Sequence, residues 1–70
     1  MKLTINGDKE ELQQGKLTIT ELLTVKKVDM PEMVSVELNG EILDRDAFTT
    51  TAVKDGDEIE FLYFMGGGKA

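Results

Sequence analysis

An α+β fold is predicted, a mixed sheet of about four to five strands with one crossover helix and a short helical turn. Three observations lead there. Two Asn-Gly pairs, Asn6-Gly7 and Asn39-Gly40, each follow a stretch in which apolar and polar residues alternate, and such a pair is the strongest short-range signal for a tight hairpin. One capping box opens one short apolar stripe between the two hairpins. The last run of β-formers, Glu58 to Phe64, follows the Asp55-Gly56 turn and supplies a further strand.

Leu3 and Ile5 alternate with Lys2, Thr4 and Asn6, the period-2 signature of a half-buried strand. After Asn6-Gly7 a more polar strand is expected over roughly Lys9 to Gln13, with Leu12 facing inward and Gly15 closing it. Thr18-Ile19-Thr20-Glu21 reads as a capping box, because the Thr18 hydroxyl can accept the Glu21 amide and the Glu21 carboxylate can reach back. Ile19, Leu22 and Leu23 then form the apolar stripe of a helix of about two to three turns. Lys26 and Lys27 fall near the negative end of its dipole. Asp29-Met30-Pro31 is the expected stop, since the residue before proline is pushed out of the helical region.

Val34, Val36 and Leu38 give a third strand, and Asn39-Gly40 turns it into Glu41-Ile42-Leu43. Asp44 to Phe48 is long enough for one helical turn that plugs Phe48 into the core, and Thr49 to Ala52 connects. The last strand should direct Ile59, Phe61 and Tyr63 inward. Leu62 and Phe64 share the opposite face with Glu58 and Glu60. A hairpin, a crossover helix and further strands fit a β-grasp arrangement, in which first and last strands lie parallel and adjacent and the helix covers one face.

Seventy residues make one domain, which buries only about 60 to 65% of the surface its unfolded chain exposes. With no cysteine and no cluster of metal ligands, the hydrophobic core has no staple to help it. No apolar run is long enough for a secretory signal or a membrane span, so a cytoplasmic protein is expected. Fourteen acidic against eight basic residues give a net charge of −6, which repels phosphate backbones and anionic lipid. Nucleic acid and membrane are therefore not expected partners. Without His or Cys there is no Cys-His or Ser-His-Asp arrangement, and no catalytic residue is assigned. Asp44, Asp46, Asp55 and Asp57 are read as turn and helix-start residues in preference to a metal site.

The C-terminus is harder to explain by folding. Phe61 to Met65 is strongly apolar and runs directly into Gly66-Gly67-Gly68, then Lys69-Ala70. Three glycines have the most conformational freedom to lose and no side chains to bury, so the chain divides into a domain over 1–65 and a tail over 66–70 that is built to reach. Fully extended, residues 66 to 70 span roughly 17 Å. Leu62, Phe64 and Met65 at its base are candidates for partner docking.

The order and spacing of Asn6-Gly7, Thr20-Glu21-Leu22-Leu23, Val36 to Ile42, Arg45-Asp46, Asp55 to Glu60 and the glycine run resemble the ThiS-type sulfur carriers of thiamine biosynthesis, within the ubiquitin-like β-grasp group that includes the small molybdopterin synthase subunit. The resemblance implies that a terminal glycine carboxylate is adenylylated and that sulfur then displaces AMP to leave a thiocarboxylate. No cofactor is bound; ATP is used by the activating partner. The implied partners are an E1-like adenylylating enzyme, a sulfur donor such as a cysteine desulfurase, and a downstream acceptor such as thiazole synthase. Lys69-Ala70 departs from that pattern, because it holds the Gly68 carbonyl in an amide. Removal of Lys69 and Ala70 by a JAMM-type metalloprotease is expected to expose Gly68, with Gly67 as the second choice. Amino-acid or other metabolite synthesis would use the same carrier chemistry. Two other readings are a β-grasp interaction module with an inert tail and a ubiquitin-like protein modifier.

Overall fold

The computed structural model describes residues 1–63. Strands β1 (Lys2–Ile5) and β2 (Asp8–Glu11) are followed by a two-residue strand β3 (Leu17–Thr18), the helix α1 (Ile19–Val25), and a 3-10 turn over Pro31–Met33. Next come β4 (Val34–Leu38), β5 (Glu41–Ile42), a 3-10 turn over Arg45–Ala47, β6 (Ala52–Val53) and β7 (Glu58–Tyr63). Five strands form one sheet in the order β2-β1-β7-β4-β5, with β1 and β7 parallel and the other pairs antiparallel. This is the expected β-grasp arrangement, with β7 at its centre.

Both hairpins close as their Asn-Gly pairs require. Asn6 and Asn39 each have φ of 53°, followed by Gly7 at 86° and Gly40 at 88°, the two consecutive positive φ values of a type I′ turn. Register follows from this: Ile5 pairs with Asp8 and Leu38 with Glu41 across the two-residue loops.

Alternation then sorts the sheet. Leu3, Ile5, Val34, Val36, Ile59 and Phe61 point to one face and join Ile19, Leu22 and Leu23 of α1 in a single buried cluster. Each such side chain contributes about 1.5 to 3 kcal/mol on leaving water, and the cluster offsets the backbone entropy of a chain this short. The capping box forms as expected: the Glu21 amide donates to Thr18 Oγ1 at 3.2 Å and the Thr18 amide to Glu21 Oε1 at 2.8 Å. Phe48, carried on its single turn, is buried in the same cluster.

Several expectations need correction. The Thr49 to Ala52 connector leads into β6, which pairs with β3 as a two-residue ribbon and seats Leu17 and Val53 in the core. The second strand begins at Asp8 and ends at Glu11, so Leu12 packs against the core from just beyond it. Tyr63 shares the inward face but is 46% exposed, although Val34 opposite it on β4 is buried, because the paired run of β1 on its other side ends at Ile5, opposite Ile59. Helix α1 stops at Val25, well before Pro31. Lys26 caps it, Lys27 takes φ of 55°, and the amides of Lys27 and Val28 donate to the carbonyls of Thr24 and Leu23 at 3.0 Å each. That is a Schellman closure, with lysine where glycine is usual. Lys26 pairs instead with Glu10 of β2, tying the helix end to the sheet edge.

A left-handed lysine carries backbone strain that glycine does not. Lys27→Gly is therefore expected to raise stability by about 0.5 to 1 kcal/mol, a melting temperature increase of several degrees in a domain this small. Calorimetry checks it, and an unchanged or lower midpoint would contradict the strain.

Candidate functional site

The candidate site is the end of β7, from which the chain runs toward its glycines. β7 has hydrogen-bonded neighbours on both sides. Against β1, the Thr4 amide donates to the Asp57 carbonyl at 3.0 Å and the Asn6 amide to the Ile59 carbonyl at 2.9 Å. The parallel ladder would end there, because β1 turns away at Gly7. Asn6 extends it with its side chain: Oδ1 accepts the Phe61 amide at 2.8 Å.

Asn39 does the matching work at the start of the strand. Its amide donates to the Glu58 carbonyl at 2.7 Å and its Oδ1 accepts the Glu58 amide at 2.9 Å. Its Nδ2 donates to Asp57 Oδ1 at 3.1 Å. Asp57, only 7% exposed, also accepts the Lys54 amide through Oδ2 at 2.8 Å, so its burial is compensated by hydrogen bonds. Asp55 Oδ1 accepts the Lys2 amide at 2.6 Å. Both carboxylates thus serve the turn that delivers β7, and among the described residues no group of three or more His, Cys, Asp or Glu could hold a metal ion.

On the other edge, β4 pairs with β7 from Leu38 opposite Ile59 to Val34 opposite Tyr63. The sheet face away from α1 carries Glu58 and Glu60 from β7 and Glu37 from β4, which line one shallow groove with Thr4 and Gly40. Glu37 stands directly opposite Glu60, an arrangement that costs stability through like-charge repulsion. Leu62 lies on this face, half-buried, paired with Ser35. The other expected tail and docking positions, Phe64, Met65, Gly66, Gly67, Gly68, Lys69 and Ala70, fall outside the described residues.

Three contributors were not evident from sequence. Asn6 and Asn39 read only as turn residues, and the one hint was amide-bearing Asn at both positions where Asp would also turn. Arg45 is the third: its Nη1 and Nη2 donate to the carbonyls of Pro31 and Val34 at 3.0 and 2.6 Å, and its guanidinium lies 5.2 Å from the Phe48 ring centroid. It fixes the loop that leads into β4. The arrangement holds a strand end in place.

Residues 2–68 match the model of the ThiS family. The chain belongs to the ThiS family. Its backbone is similar to the crystal structure of the thiamine biosynthesis protein (ThiS) from Geobacter metallireducens, with 56% identity and a TM-score of 0.89 over 97% of this chain and 100% of that one. The solution structure of a thiamine biosynthesis protein from the same organism gives 56% identity and a TM-score of 0.81, over 100% of this chain and 91% of that one. Two thiazole synthases are also similar. The one from Paramagnetospirillum magneticum is 40% identical over 68 residues, and the one from Magnetococcus marinus 32% over 69. These matches take in 97% and 99% of the chain but only 20% and 21% of the synthases, so the chain spans about a fifth of the length of the curated relatives it matches.

Asn6→Gly keeps the positive φ of the turn and removes only the side-chain acceptor for Phe61. A loss of about 1 kcal/mol is expected, with faster amide hydrogen exchange at Phe61 than at residues of β4. Unchanged exchange at Phe61 would show that the Asn6 side chain does not hold the strand.

Proposed function

We propose that this ThiS-family chain is a sulfur carrier, not an enzyme, whose Gly68 carboxyl is activated and converted to a thiocarboxylate. The observation that carries the reading is the family match over residues 2–68, which takes in the whole glycine run and stops at Gly68. The anchored β7 supports it, since a carrier must present its terminus from a fixed base to an enzyme that does the chemistry. The thiamine biosynthesis proteins of similar fold and the thiazole synthase relatives favour thiazole formation for thiamine as the destination of the sulfur.

The chemistry begins with Gly68. Its carbonyl is in an amide with Lys69, so hydrolysis of that bond, by a metalloprotease of the JAMM type, precedes activation. An adenylylating partner then joins the freed carboxylate to AMP from ATP, releasing pyrophosphate. A carboxylate is a poor electrophile, and the AMP leaving group changes that. The outer sulfur of a persulfide, formed by a donor such as a cysteine desulfurase, attacks the acyl adenylate and expels AMP to give an acyl disulfide; a thiol then reduces the S–S bond, forming its own disulfide with the donor sulfur and leaving the thiocarboxylate. Gly66, Gly67 and Gly68 let a bare backbone pass where side chains would block it. Once Lys69 and Ala70 are removed, residues 66–68 act as the reaching tail and residues 1–65 as its base.

A modifier would share the activation step and end in an isopeptide bond to a lysine of another protein. An inert interaction module would not be activated at all. With the activating enzyme and ATP, the chain processed to Gly68 should release pyrophosphate, and the unprocessed chain should not. Substituting both Gly67→Ala and Gly68→Ala should lower that rate by about tenfold or more, on the scale expected when the reacting atoms are displaced by an ångström, with the melting temperature unchanged. Full activation of that variant would overturn the threading argument, and no activation of the processed chain would favour the inert module.

A further inference from the structure

Asn6-Gly7 and Asn39-Gly40 are the same dipeptide in the same type of turn. Their asparagines share a φ of 53°, their glycines have 86° and 88°, and all four residues are exposed to water. Each asparagine donates its backbone amide to β7, Asn6 to the Ile59 carbonyl at 2.9 Å and Asn39 to that of Glu58 at 2.7 Å. The sequence neighbours are alike too, Ile5 and Leu38 before, Asp8 and Glu41 after. Only the side chains are held differently. Among the described residues Asn6 is held through Oδ1 alone, by the Phe61 amide at 2.8 Å, whereas Asn39 is held through Oδ1 by the Glu58 amide and through Nδ2 by Asp57 Oδ1, at 2.9 and 3.1 Å.

That difference bears on the chemistry of the dipeptide. Glycine has no side chain to hinder attack by its own amide nitrogen on the preceding asparagine. The nitrogen bonds to Cγ, the Cγ–Nδ2 bond breaks, and ammonia leaves with the proton that the glycine nitrogen gives up. Water then opens the cyclic imide at one of its two carbonyls, leaving either aspartate or an isoaspartate through which the main chain runs one carbon longer. Attack needs Cγ brought within about 3 to 3.5 Å of the nitrogen in a suitable orientation, so a side chain held against β7 must first be released. Release is a local opening, and it is rarer where more contacts must break together.

We propose that Asn6 is a site of spontaneous deamidation in the folded protein and that Asp57 spares Asn39. The departing nitrogen of Asn39 is the atom tied to Asp57, while that of Asn6 is not so tied. The products differ in the same sense. Aspartate at position 6 keeps an oxygen that accepts the Phe61 amide. Aspartate at position 39 sets a second carboxylate against Asp57, which is only 7% exposed, and like charges so placed oppose folding. Isoaspartate at position 6 lengthens a two-residue loop whose length fixes the register of its hairpin, and it loosens β7 at Phe61. Deamidation at Asn6 therefore ages the protein at the strand that leads to the glycine run, whatever chemistry that run undergoes.

Incubation of the full 70-residue chain in mildly alkaline buffer, native and in concentrated urea, followed by tryptic peptide mapping, reads both sites. Lys2 and Lys9 bracket Asn6, and Lys27 and Arg45 bracket Asn39. In the native chain the Asn6 peptide should gain the mass of an amide-to-acid exchange about tenfold or more faster than the Asn39 peptide, the scale of one hydrogen bond to a charged acceptor, and in urea the two rates should agree within about twofold. Equal native rates, or a faster Asn39, would overturn the proposal. So would a native chain in which neither site converts while both convert in urea, since one side-chain contact would then guard as well as two. A ratio in urea equal to the native ratio would assign the difference to sequence neighbours and overturn it as well. The acid variants give a second readout: Asn39→Asp should melt several degrees below Asn6→Asp, and coincident midpoints would remove Asp57 as the guard of Asn39 and overturn that half of the proposal.

Discussion

The last strand keeps backbone partners along both edges because two hairpin turns each place an asparagine against it. A type I′ turn needs positive φ at both central residues, and Asn satisfies the first position without glycine's entropy cost. Its amide is then free for other use. Asn6 carries the parallel ladder past the point where β1 turns away, and Asn39 holds the entry of β7 together with buried Asp57. Local turn chemistry and long-range anchoring are served by the same two residues, which makes the central strand the fixed reference of the molecule.

The remaining structure follows from that reference. With β7 central, its inward residues Ile59 and Phe61 meet the stripe of α1, and the capping box sets where that stripe begins. Arg45 braces the loop that leads into β4, the other neighbour of β7. One feature works against stability: Glu37 faces Glu60 across the central pair of strands, with Glu58 on the same face. Among the described residues neither Glu37 nor Glu60 is in an ion pair, and conflicts of that kind concentrate where a surface serves function.

Much of the fold was legible because its signals are local. Asn6-Gly7 and Asn39-Gly40 specify turn type and therefore register, Thr18 and Glu21 specify a helix start, and alternation at Leu3, Ile5, Val34, Val36, Ile59 and Phe61 specifies an inward face. Other features have no local signal. A two-residue ribbon such as β3–β6 is too short to show a period, so Leu17 and Val53 went unassigned to the core. Alternation tells which way Tyr63 points but not how far the cover over that face extends. The helix end at Lys26 and Lys27 lacks the glycine that would announce it, and Pro31 drew the boundary too late. Of the candidate site, the glycine run was plain in the sequence, whereas the Asn6 contact to Phe61 joins residues 55 apart and appears only when the strands are assembled.

A carrier differs from an inert module in what happens to its own C-terminus. The intact mass of the protein from its native cells, grown without external thiamine, is the most direct measurement. Molecules lacking Lys69 and Ala70, some of them heavier by one sulfur-for-oxygen exchange, are the result a processed sulfur carrier requires. A chain that keeps both residues under that demand, with no sulfur-bearing form, would contradict it.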